Sequence, residues 1–162
     1  MLRIAISGSY GGTNLGDEAI LQSIVTQLRA RVSAEITVFT LDAGDTMLRH
    51  EVDHAIVTVD LTREELSAEV QNYDFMILGG GGVLFDYWVE QHLREASLAL
   101  DAGVPLFVHS VGAGPLTDSG ARESVADCLG RAEMVTVRDT GSLRTLERLG
   151  VRRDIVVTAD PA

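Results

Sequence analysis

Two carboxylates that close glycine-rich stretches are the residues in this chain best placed for chemistry. Asp17 ends Gly8-Ser9-Tyr10-Gly11-Gly12-Thr13-Asn14-Leu15-Gly16-Asp17, after the apolar run Leu2–Ser7, and Asp86 ends Gly79-Gly80-Gly81-Gly82-Val83-Leu84-Phe85-Asp86, after Asp74–Leu78. A carboxylate can take a proton from a hydroxyl, and glycine lets backbone N–H groups approach an anion closely. In an open parallel sheet, ligands bind outside the carboxyl ends of the strands. Strand, glycines and acid in that order therefore point to a cleft at one edge of a sheet. A third stretch, Ser110-Val111-Gly112-Ala113-Gly114-Pro115, falls at the same edge, and Arg138 is the basic side chain that immediately follows a strand there, a candidate anion ligand.

Plainer roles compete for the same residues. Asn14, Asp17 and Asp139 are all good helix caps, and Pro115 alone accounts for a turn. Four consecutive glycines are harder to dismiss. One or two suffice for a turn, and each further one weakens the fold through backbone entropy, which favours close approach of a ligand or a neighbouring domain. The spacing of Gly8, Gly11, Gly12 and Gly16 is too wide for a dinucleotide fingerprint even though Asp42 ends the second strand, Leu84 stands where the last glycine of a second fingerprint should fall, and no Gly-Lys-Ser/Thr follows to make a phosphate loop. His109 reads as a near-core residue, and His50, His54 and His92 as surface residues without partners. Cys128 shares a helical face with Ala121, Val125 and Leu129 and reads as core filler; no Cys/His cluster has metal-ligand spacing.

The elements that must position these residues alternate. Strand-like runs fall at Leu2–Ser7, Glu35–Leu41, Ala55–Val59, Asp74–Leu78, Val104–Ser110, Met134–Val137 and Ile155–Thr158. A first helix carries Ile20, Leu21, Ile24, Val25, Leu28 and Val32 on one face, and others are expected at Thr62–Val70, Asp86–Asp101, Asp118–Arg131 and Asp139–Leu149, the last stopped by Gly150. Alternation of this kind predicts an α/β fold, a doubly wound Rossmann-like parallel sheet of about six or seven strands covered by helices on both faces.

Composition narrows the function classes. The 162 residues suit one domain with a real core, and a net charge of −11 repels polyanions and argues against nucleic-acid binding. A single cysteine fits a reducing cytoplasm, and neither a signal segment nor a membrane-spanning run is present, so contact with a membrane's inner face is expected only through a partner or substrate. The Ile155–Thr158 strand followed by Ala159-Asp160-Pro161-Ala162 reads as a domain about to continue into another.

Taken in order, Gly8–Leu21, Gly79–Asp86, Val111–Leu116, Val137–Val151 and Thr158–Ala162 resemble the polysaccharide pyruvyl transferase family over the whole chain. The resemblance implies one half of a GT-B-like fold, the N-terminal domain of a two-domain enzyme that moves the enolpyruvyl group of phosphoenolpyruvate onto two hydroxyls of a cell-wall polysaccharide sugar as a cyclic ketal. It implies no cofactor, phosphoenolpyruvate being the donor substrate, and a sugar or lipid-linked saccharide as acceptor. Gly11, Gly12, Asn14, Gly16, Gly80, Gly81, Gly82, Gly112, Gly114 and Arg138 are then expected to bind substrate, with Asp17 or Asp86 as the hydroxyl base. The donor-holding cations are expected in the other domain, which leaves the isolated chain inactive and able to self-associate through its uncovered face. The family usually has Gly-Gln where this chain has Ser110-Val111, so that glutamine's polar contact is not expected here. A stand-alone binding module for a nucleotide or sugar phosphate is the alternative reading.

Overall fold

The computed structural model describes residues 1–162. Seven parallel strands form one sheet in the order β3-β2-β1-β4-β5-β6-β7. They are β1 (Leu2–Ser7), β2 (Ala34–Thr40), β3 (His54–Val57), β4 (Phe75–Leu84), β5 (Leu106–Ala113), β6 (Met134–Val137) and β7 (Ile155–Val157). The helices are α1 (Leu15–Arg29), α2 (Ala43–Arg49), α3 (Arg63–Val70), α4 (Val89–Asp101), α5 (Ser119–Arg131) and α6 (Thr140–Leu149). This is the Rossmann-like doubly wound arrangement, and the strand order reverses between β1 and β4. No helix is long and apolar enough to cross a membrane.

Two apolar layers sandwich the sheet. On one face α1 buries Ile20, Leu21, Ile24 and Val25 against Ile4, Ile6, Ile36 and Val38. Each such side chain contributes about 1.5–3 kcal/mol relative to exposure. On the other face α3 to α6 close a larger cluster that includes Leu66, Leu93, Val125, Cys128 and Leu146. Burial pushes the Cys128 thiol up to about 11, as befits an inert core residue. α1 ends at Arg29, so Val32 lies beyond it and is exposed rather than on its buried face.

Three departures from the sequence reading bear on the site. The four-glycine run is not a loop: β4 continues through it to Leu84, and β5 likewise runs on to Ala113. The glycines are there because the protein's own side chains press on the strand. The Tyr10 ring lies over Gly79, a Cβ on Gly80 would stand 2.7 Å from Ile20 Cγ2, and one on Gly81, at φ +82°, 3.0 Å from Asp17 Oδ1. α1 is the close neighbour that the glycine run accommodates.

Second, α4 begins at Val89 rather than Asp86, because the Asp86 carboxylate is engaged elsewhere. Third, α2 appears where no helix was expected. Asp42 caps it by accepting from Asp45 N at 2.9 Å, but its seven residues bury only Thr46, so no apolar stripe marks it in the sequence.

Gly80→Ala should therefore destabilise the fold by about 1–3 kcal/mol, because Ile20 is itself fixed in the core and cannot yield. Gly12→Ala, whose Cβ meets nothing within 4 Å, should stay within about 0.5 kcal/mol of the parent. Urea denaturation of the two variants side by side checks this, and equal losses would contradict it.

Candidate functional site

The carboxyl ends of β1 to β4, together with α4, enclose a cavity of about 840 Å³ at the point where the strand order reverses. Its walls include Gly8 and Ser9 after β1, Thr40 and Leu41 at the end of β2, Thr58 and Val59 after β3, and Gly82 and Phe85 around the end of β4. Trp88, directly before α4, and Gln91, His92, Arg94 and Glu95 of α4 complete the lining. Side chains three, four and seven positions apart share a helix face, which brings Trp88, Gln91, His92 and Glu95 to one wall.

Asp17 stands at the mouth. The cap of α1 is Asn14, whose Oδ1 accepts from Gly16 N at 3.0 Å, while Asn14 Nδ2 donates to Asp17 Oδ2 at 2.8 Å. Asp17 is thus held by the cap instead of being the cap. Partial burial raises its pKa, with hydrogen bonds from Ser9 and Asn14 opposing the shift. Burial lowers the pKa of His92, and the Asp17 charge opposes that shift. His92 therefore belongs to the cavity wall, not to the free surface.

Glu95 lies deeper and is almost wholly buried. Its Oε1 accepts from Thr58 Oγ1 at 2.8 Å and its Oε2 from Ser7 Oγ at 3.5 Å, while burial pushes its carboxyl above the usual range. Arg94 is the one guanidinium in the wall and is occupied, donating to the carbonyl oxygens of Thr58 and Leu61. The cavity accordingly offers carboxyl groups, the amides of Asn14 and Gln91, hydroxyls and the His92 imidazole to a ligand, and no free arginine or lysine.

A buried polar chain sets the shape of the first glycine loop. Glu18 Oε1 accepts from Gly11 N at 2.9 Å, Glu18 Oε2 meets His50 Nε2 at 2.8 Å, and His50 Nδ1 meets Gln22 Oε1 at 3.0 Å. His50 is buried and partnered, contrary to the surface position read from the sequence; its partner lies 32 residues away, beyond the reach of any local spacing rule. Gly11 takes φ +76° there, with Thr40 and Asp42 where a side chain would be. Gly12 and Gly16 remain open to solvent or nearly so.

Asp86 and Arg138 lie outside this cavity. Asp86 Oδ1 accepts from Thr117 N at 2.7 Å and Asp118 N at 3.0 Å, and Oδ2 from Thr117 Oγ1 at 2.6 Å. These bonds hold its carboxyl below the usual range and pin the segment that leads into α5. Such a group stabilises the fold above the ordinary carboxylate pKa, and the benefit disappears as pH falls through the lowered value. Asp86→Asn should melt below the parent near neutral pH, with the gap closing in acid; a pH-independent gap in thermal melts would contradict this.

Arg138 lines a separate depression of about 370 Å³ with Gly82, Gly112, Gly114 and Ser142. Its guanidinium donates to Asp160 at 3.2 Å, approaches Asp139 at 3.6 Å, and lies against Gly112 where a Cβ would stand. The three glycine stretches thus flank two depressions that meet at Gly82 and Phe85, not one crevice. Gly80 and Gly81 lie beneath α1. No group of three or more His, Cys, Asp or Glu is gathered to hold a metal ion.

A family model described as polysaccharide pyruvyl transferase matches residues 14–162. The chain belongs to the polysaccharide pyruvyl transferase family. The match begins at Asn14 and so includes Asp17, Glu18, the α4 wall and Arg138. No curated protein matches the chain.

In this polysaccharide pyruvyl transferase family member, sequence reasoning passed over Glu18, Glu95 and Trp88 and put His92 on the surface. One signal was available for Trp88, His92 and Glu95, which recur at helical spacing among the apolar residues Val89, Leu93 and Ala96.

Proposed function

We propose that the chain is the acceptor-side domain of a phosphoenolpyruvate-dependent pyruvyl transferase that builds a cyclic ketal on a saccharide. The observation that carries this reading is the cavity over β1 to β4, which presents the carboxyl groups of Asp17 and Glu95 and has its one guanidinium already engaged. Hydroxyls suit such a wall; the carboxylate and phosphate of the donor do not, and they require cations supplied by a second domain across the cleft.

A general acid protonates the methylene carbon of phosphoenolpyruvate, and a sugar hydroxyl attacks the resulting cationic carbon and yields its proton to a base. The C–O bond to phosphate then breaks, and a second hydroxyl adds to the same carbon, closing the ketal and giving its proton to the departing phosphate. Asp17 is the candidate base on this side, since a carboxylate of raised pKa at the cavity mouth is a stronger proton acceptor than an exposed one. A cytoplasmic enzyme that meets a lipid-linked acceptor at the membrane's inner face is part of this reading. Self-association through the face at the carboxyl ends of the strands belongs to the same reading.

The test is release of inorganic phosphate from phosphoenolpyruvate by the complete gene product with and without saccharide acceptors. Acceptor-dependent release by the complete product and none by residues 1–162 alone is the expected result. Equal turnover by residues 1–162 would overturn the division of labour.

A further inference from the structure

We propose that Trp88 is a stacking platform for a neutral pyranose ring, which identifies the ligand of the β1–β4 cavity as an uncharged sugar face instead of a sugar phosphate. The inference rests on the acceptor reading above and deepens it. Trp88 is the chain's single tryptophan and is 63% exposed. It occupies the left-handed region at φ 73°, ψ −2°, directly before α4, and makes no side-chain cap. A non-glycine residue there carries roughly 1–2 kcal/mol of backbone strain. Neither core packing nor helix capping accounts for an indole at this position.

Its place does account for it. Trp88 borders the main cavity and also a depression of about 230 Å³ lined by Asp86, Glu90 and Asp118. The indole is thus an apolar plate set among acids and amides. One face of a pyranose is a patch of C–H bonds that packs on the electron-rich face of an indole, while its hydroxyls project outward at the ring edge toward hydrogen-bonding groups. Asp17 and Gln91 supply such groups in the same cavity. A phosphate placed there would face carboxylates with no free cation to offset them. The strain at Trp88 then serves to hold the ring out over the cavity before the sugar arrives.

Because the chain has one tryptophan, its fluorescence under tryptophan-selective excitation reports on this residue alone. Titration with methyl N-acetylglucosaminide, methyl N-acetylmannosaminide and chitobiose should give a saturable emission shift with at least one of them. Pyrophosphate and tetramethylammonium should give none. Trp88→Gly relieves the left-handed strain, so it should melt no lower than the parent while calorimetry shows saccharide binding weakened by about tenfold or more. A shift with pyrophosphate or tetramethylammonium, silence with every saccharide, or parental affinity in Trp88→Gly would overturn the proposal. The outcome is separable from the activity reading. A chain that binds saccharide through Trp88 beside a complete product that releases no phosphate defeats only the transfer reaction. Turnover with an acceptor KM untouched by Trp88→Gly defeats only the platform.

Discussion

Asp17→Asn in the complete enzyme is expected to lower kcat by about 10²-fold or more while leaving acceptor KM within a small factor of the parent. Asparagine keeps the size of the side chain and its ability to accept from Asn14 Nδ2, so the geometry at the cavity mouth survives. What disappears is the capacity to take a proton. Helix capping is not at stake, because Asn14 performs it, and the loss of negative charge in the first turn of α1 removes only about 0.3–1 kcal/mol of dipole interaction. A large rate loss with a nearly unchanged melting temperature is the signature of a base. Unchanged kcat would remove Asp17 from the chemistry and leave it as a partner of the cap.

Glu95 gives the second large effect, and its sign on stability is opposite to that of Asp86. Burial raises its pKa, so the folded state holds the proton more tightly than the unfolded state does, and ionisation weakens the fold. That penalty is absent below the unfolded carboxylate pKa and complete above the raised folded value. Glu95→Gln should therefore melt at or above the parent, with its advantage growing as pH rises through that interval, while turnover falls by about tenfold or more because the cavity has lost a carboxyl group that can exchange a proton. Glu95→Ala should instead lose stability, since it leaves the hydroxyls of Thr58 and Ser7 without their acceptor and opens a void beneath the cavity. Thermal melts of both variants across acid to neutral pH, with kcat measured alongside, check the pair. A glutamine variant that melts lower with rising pH would contradict the account.

Much of the architecture was legible because apolar runs such as Leu2–Ser7 and Met134–Val137 are buried strands of a parallel sheet, and those bounds agree with the structure. Helices α3, α5 and α6 were read within a residue of their starts, helped by Thr62, Asp118 and Asp139 as caps. The glycine run misled because its cause is tertiary: only the packing of Ile20, Tyr10 and Asp17 onto β4 shows why Gly79, Gly80 and Gly81 lack side chains. The same limit hid the Glu18–His50 contact, which joins the start of α1 to the end of α2. Asp86 and Asp17 looked equivalent as acids after glycines. Their different hydrogen bonds separate them, three donors from the α5 approach for one and a place at the cavity mouth for the other.

The central claim is ketal formation from phosphoenolpyruvate, and carbon-13 NMR of the saccharide product tests it most directly. With phosphoenolpyruvate labelled at its central carbon, the complete gene product and a saccharide acceptor should yield label in a saturated carbon bonded to two sugar oxygens, a methyl group and a carboxylate, together with one equivalent of inorganic phosphate. Label retained in a vinylic carbon joined to a single sugar oxygen, or label that never reaches the saccharide, would contradict the account.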